Sequence, residues 1–236
     1  MGKIFDVQFM IEVIPQILKG IPYTLLIAVV SFIVGIIIGF FGALCKIFNV
    51  PVLKRVTDVY VSFIRGTPLI VQILLIYYAF PILVRIINQK FGTSIDISWI
   101  PAVVFMLVAF SLSAGAYLTE SIRAAIQAID KVQIEAAYSV GMTTAQAMRR
   151  IILPQAIKVG LPVFANFFIG LLKDTSLAFS AAVPEIMGQA KIVAGRASRF
   201  FEAYIDAALI YWVICIIFER IVAVIEKKAA QDKKEG

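Results

Sequence analysis

Residues 135–154 read EAAYSVGMTTAQAMRRIILP, a polar island of twenty residues in a chain that otherwise looks lipid-soluble. Glu135, Ala136 and Ala137 are good helix formers. Gly141 supplies backbone freedom, and a second helical run is expected from about Thr144 to Ile152, ended by Pro154. A short helix, a bend and another short helix make a rigid knob able to stand off a membrane. The spacing is E-A-A, three residues, G, nine residues, then I-x-L-P. An isolated E-A-A is a common triplet and reads as an ordinary amphipathic surface helix; the full spacing asks for more.

The rest of the composition sets the context. The chain has 236 residues, of which 61% are hydrophobic and 16% charged, and a mean hydropathy of +0.94. Soluble domains carry about 25% charged residues. The apolar excess lies in long runs, so the chain is a polytopic membrane protein with a single membrane domain. Histidine is absent, and Cys45 and Cys215 both fall at or inside apolar runs. That pattern supports small core residues and neither a disulfide framework nor a zinc site. The net charge of +7 fits basic cytoplasmic loops and is not read as a nucleic-acid footprint. Asp6 and Glu12 interrupt what would be the apolar region of a cleavable leader.

In chain order, residues 1–19 are expected to form an interfacial amphipathic helix, broken at Pro15. Residues 20–226 hold the transmembrane domain, with the polar island inside a loop of about 126–155, and residues 227–236 form a charged tail. The first span runs from Ile21 to Leu44, where Gly35 and Gly39 form a G-x-x-x-G suited to close helix packing. Lys46 to Asp58 is a basic connector. The second span, about Val59 to Ile87, opens with Arg65-Gly66-Thr67-Pro68 and is expected to break at Gly66 to Pro68. The third runs from Ile100 to about Ala125, the fourth from about Gly160 to Phe179, and the fifth from Ala203 to Ile225. Residues 181–202 form an outer segment. Twelve Lys and Arg fall on the proposed inner side and seven on the outer, which favours an outside N-terminus and an inside C-terminus.

The island's spacing resembles the cytoplasmic EAA loop of the membrane subunits of bacterial ABC importers. RGTPLIVQ from Arg65 and LLKDTSL from Leu171 resemble the polar amino acid uptake subgroup of those permeases. The resemblance extends from the first span to the fifth. One departure stands at the start of the loop: Asp130-Lys131-Val132-Gln133 keeps a glutamine common in the family and lacks its glycine. The resemblance implies an all-α, five-span bundle in the bacterial inner membrane. Glu135, Ala136, Ala137 and Gly141 would form or position the surface that docks on an ATPase. It further implies a second permease subunit, the same or related, two ATPase subunits, and an extracytoplasmic amino-acid-binding protein. The chain itself has no G-x-x-x-x-G-K-[ST], and GLLKDTS from Gly170 has the wrong spacing. ATP and Mg²⁺ are therefore expected on the partner, with no cofactor on this chain.

Within the spans, Ser113, Tyr117 and Glu120 share one face of the third, and Asn166, Gly170 and Asp174 share one face of the fourth. A carboxylate at membrane depth needs a partner. Glu120 either pairs with Arg123, three residues on, or meets a cationic group of a substrate, which would tilt the substrate towards a basic amino acid. Ser113, Tyr117 and Asn166 are candidates to orient an amino acid, Asn166 equally reading as a helix-packing residue. Thr67 is a candidate for exposing backbone groups of a broken helix to a carboxylate. The LLKDTSL resemblance gives Lys173 and Asp174 a gate or structural role. An ion-gradient-driven carrier is the alternative function, and it predicts internal repeats that the halves do not show. A membrane enzyme has little support, for want of a nucleophile with an adjacent base.

Overall fold

The computed structural model describes residues 5–231 and is all-helical among them. Helix α1 spans Val7–Leu18, and the Asp6 carboxylate accepts from the Phe9 amide at 3.2 Å. It continues past Pro15, against the expected break. Pro15 forgoes its own bond to the Ile11 carbonyl, and the helix ends one turn later, at Leu18. Ile17 is fully buried while Gln8 and Glu12 are exposed, as an amphipathic helix requires, although Val7 and Ile11 are exposed as well.

Helix α2 is Ile21–Ile47, α3 is Pro51–Arg65 and α4 is Leu69–Phe91. The expected break at Gly66 to Pro68 is present, between α3 and α4. The basic connector, however, is helical from Pro51 onwards, because a proline with its fixed φ opens a helix well at the first position. Helix α5 spans Ala102–Gln127, α6 spans Lys131–Ser139 and α7 spans Thr144–Ala147. A π-helical turn at Met148–Ile152 leads without interruption into α8, Leu153–Asp174. Pro154 therefore does not stop the run. It lies in the first turn of α8, just past the wide turn in which the Leu153 amide reaches back to the Met148 carbonyl. A turn of that kind relieves the clash a proline ring makes with the preceding turn. A 3₁₀ segment, Thr175–Ala181, closes α8; then come α9, Ile186–Ala197, and α10, Phe200–Gln231.

Five of these helical runs are long and apolar enough to cross a membrane: α2, α4, α5, residues 144–181 and α10. Helix α5 is the hub, with 61% of its apolar window buried against 11% for α10. It lies parallel to α2, and glycines let the two backbones meet. A Cβ on Gly35 would lie 2.6 Å from the Ala114 Cβ, and one on Gly39 2.8 Å from that of Leu118. The G-x-x-x-G is thus a packing seam. Helix α8 returns antiparallel to α5, with Phe167 against Tyr117 and Gly160 against Ala125.

Candidate functional site

The polar island folds as two helices set against each other. The Asp130 carboxylate caps α6 by accepting from the Val132 amide at 2.9 Å. Gly141 takes φ 81°, a left-handed conformation that favours glycine, and turns the chain between α6 and α7. Thr143 and Gln146 form a capping box at the start of α7. Ala137 and Ala147 are buried between the helices, and the Gln155 amide reaches Gln133 at 2.6 Å, bracing α6 against α8. Glu135 and Ala136 lie on the exposed side. The same surface bears Val132, Tyr138 and Val140, exposed by 65%, 46% and 75%. A braced knob presenting apolar side chains to solvent is a surface that awaits a partner.

The second feature is a cavity of about 280 Å³ beside the break between α3 and α4. Thr67, Gln72, Ser113, Tyr117, Gly170 and Asp174 are among its walls. The Gln72 amide nitrogen donates to the Ile64 carbonyl at 2.8 Å and to the Thr67 carbonyl at 3.0 Å, tying the broken ends together. Its carbonyl oxygen is buried without a partner. Arg65 stands over the Tyr117 ring, 5.6 Å from its centre. At Gly170 a Cβ would meet nothing within 4 Å, so the glycine keeps the cavity open.

Of the residues singled out in the sequence, Thr67, Ser113 and Tyr117 meet at this cavity, while Glu120 and Asn166 are not among its walls. Asn166 is exposed on α8. Glu120 pairs with Arg123, whose Nη2 lies 2.6 Å from Oε2, and Lys46 holds the other oxygen at 2.5 Å. Both oxygens are taken, so the geometry favours the ion-pair alternative. Sequence reasoning gave no site role to Gln72 and placed Asp174 only in a gate; their spacing from Thr67 and Gly170 was the available signal. The 74 positions between Lys46 and Glu120 carried no signal at all.

Comparison with known proteins gives these features a setting. Residues 31–231 match the family described as binding-protein-dependent transport system inner membrane component. The chain is 44% identical to a probable amino-acid ABC transporter permease of Vibrio harveyi over 217 residues, 92% of this chain and 93% of that one. It is 36% identical to an L-cystine transport system permease of Bacillus subtilis over 233 residues, 99% and 95% of the two chains. The crystal structure of an amino acid ABC transporter with histidines superposes with a TM-score of 0.81 at 37% identity, covering 95% of this chain and 99% of that chain. These relatives are permease subunits and not enzymes, and they do not favour a secondary carrier. Such permeases work in the bacterial inner membrane with ATPase subunits and a second permease. The chain belongs to the binding-protein-dependent transport system inner membrane components, among the amino-acid ABC transporter permeases.

Proposed function

We propose that this permease carries polar L-α-amino acids into the cytoplasm, and that the cavity beside the α3–α4 break is where it holds them. The observation that carries the reading is the convergence of a few polar side chains, Thr67, Gln72, Ser113, Tyr117 and Asp174, on a cavity otherwise walled by apolar residues. The 23-residue helix α4 begins at its edge, and a helix N-terminus beside the Thr67 hydroxyl suits an α-carboxylate. Asp174 suits an α-ammonium. Ser113 and Tyr117 would orient the remainder. Because Lys46 and Arg123 already neutralise Glu120, nothing at that residue selects a basic side chain, and neutral polar amino acids fit the cavity best.

The motor is on another chain. ATP and Mg²⁺ bind to the ATPase subunits, which dock on the knob with Glu135, Ala136, Ala137 and Gly141 forming or positioning the contact. Closing of the ATPase pair draws two knobs together and switches the spans between inward- and outward-facing states. The distribution of Lys and Arg supports a cytoplasmic knob and an outside N-terminus. An extracytoplasmic binding protein delivers the substrate, and the second permease is a copy of this chain or a related one.

The test is ATP hydrolysis by the reconstituted complex with its binding protein, measured across a panel of amino acids, for the wild type and for Gly170→Phe. At least one neutral polar amino acid stimulates the wild type, and the phenyl ring that fills the cavity abolishes the stimulation. Stimulation by no amino acid argues against the substrate class. Full stimulation in Gly170→Phe argues against the cavity.

A further inference from the structure

Four charged side chains form a closed cluster where α2, α3 and α5 meet. Lys46, in the last turn of α2, lies 2.5 Å from Glu120 Oε1 on α5 and 2.7 Å from Asp58 Oδ1 on α3. Arg123 takes the other Glu120 oxygen through Nε at 3.0 Å and Nη2 at 2.6 Å, and its Nη1 donates to the Gln127 side-chain Oε1 at 2.7 Å. The side chains of Lys46 and Glu120 are only 16% and 19% exposed. Two cations and two anions leave no net charge. A cluster so placed is costly to break from one side and is weak evidence for stability as such.

Its position along the chain is informative. Gln127 is the last residue of α5, and the Asp130 that caps the first helix of the knob follows three residues later. On the other branch, Asp58 lies two turns before Arg65 and the break that walls the cavity. Helix α3 is otherwise held by a small apolar patch, Val61 and Ile64 with Ala116, by the Tyr60 hydroxyl on the Leu112 carbonyl, and at its end by the Gln72 amide on the Ile64 carbonyl and by Arg65 over Tyr117. Its opposite stripe, Val52, Val56, Val59 and Phe63, is exposed. An element this lightly held moves with whatever grips it.

We propose that the Lys46–Asp58–Glu120–Arg123 cluster is the mechanical link between the motor-facing knob and the substrate cavity, with Lys46 as the positioning residue that ties α3 to α5. The link works in both directions. Knob displacement carried by α5 pulls α3 and reshapes the break, and substrate at the break biases the knob. Glu120 thereby has a role that requires no substrate contact. The inference rests on the reading of residues 131–147 as the docking element.

The experiment measures uptake per ATP hydrolysed in proteoliposomes holding the whole complex and its binding protein. The probe is a radiolabelled L-amino-acid mixture supplemented with L-cystine. Lys46→Met lowers the ratio about tenfold, the size of an ordinary coupling between sites, and Lys46→Arg, which keeps the cation, restores most of it. A loss of stability alone would lower uptake and hydrolysis together and leave the ratio unchanged. Asp58, whose side chain is 44% exposed, tolerates change, so Asp58→Asn decides the matter if Lys46→Met fails to assemble; it too lowers the ratio. A wild-type ratio in Asp58→Asn, or in an assembled Lys46→Met, overturns the proposal. Val140→Asp on the knob is run alongside. If it uncouples hydrolysis while the cluster variants do not, only the link is wrong. If it also leaves the ratio unchanged, the docking reading itself has failed.

Discussion

Glu185 shows what burial does to a single ionisable residue. It caps α9, accepting from the Met187 and Gly188 amides at 2.9 and 2.7 Å, and takes the Tyr211 hydroxyl at 2.6 Å. The side chain is fully buried, and desolvation outweighs these three donors, pushing its carboxyl up from 4.5 to about 7. A folded-state value above the unfolded one means that folding retains the proton. The resulting stabilisation is complete below pH 4.5 and is lost as pH rises through about 7, a swing of about 3 kcal/mol. The thermal midpoint of the purified complex accordingly falls across that window, and Glu185→Gln flattens the fall. A wild-type midpoint with no such decline contradicts the assignment. Legibility at this scale was local. The Glu120–Arg123 pair could be read from a three-residue spacing, and Ser113 with Tyr117 from a four-residue one. Lys46 joined Glu120 only through tertiary packing, which no spacing encodes. Gln72 was visible as a polar residue in a span, but the unpartnered oxygen that marks it required coordinates.

Among the elements, glycine positions separate packing from function. An added methyl at Gly39 runs into the Leu118 backbone and Cβ, while one at Gly170 enters open space. Gly39→Ala therefore destabilises by about 2 kcal/mol through overpacking. Gly170→Ala is neutral or stabilising by up to about 1 kcal/mol, since glycine is a poor helix former. Thermal unfolding of the two variants side by side checks this, and equal losses would contradict the α2–α5 seam. In the knob, Thr143→Ala removes the capping box, costs about 1 kcal/mol, and raises amide exchange over residues 143–152. Unchanged exchange there would mean that the box does not hold α7. The sequence made the knob legible because glycine and a polar run stand out against apolar spans. It misplaced the end of the second helix. Pro154 carries the ordinary signature of a helix stop, and the π-helical turn that accommodates it has no comparable signature. The same limit applied at Pro15 and Pro51, where a proline's position within the helix decided its effect.

For the whole molecule, five spans were legible from hydropathy alone, and their order along the chain fixed which ends meet. Their mutual packing was not, because periodicity says which face is apolar and not which neighbour it meets. One chain buries little of the apolar window of α10 and leaves the cavity at the side of α5 and α8. A second permease would complete the pathway. Native mass spectrometry of the complex is expected to give two permease and two ATPase subunits; a complex with a single permease would contradict that reading. The central claim is that a motor on another chain moves this bundle through residues 131–147. ATP-driven amino acid uptake by proteoliposomes carrying Val140→Asp is the sharpest test, because the new charge lies on the most exposed apolar position of the knob and outside every span. Uptake is expected to collapse, with the ATPase either released or hydrolysing without transport. Import at the wild-type rate with the ATPase still bound would contradict it.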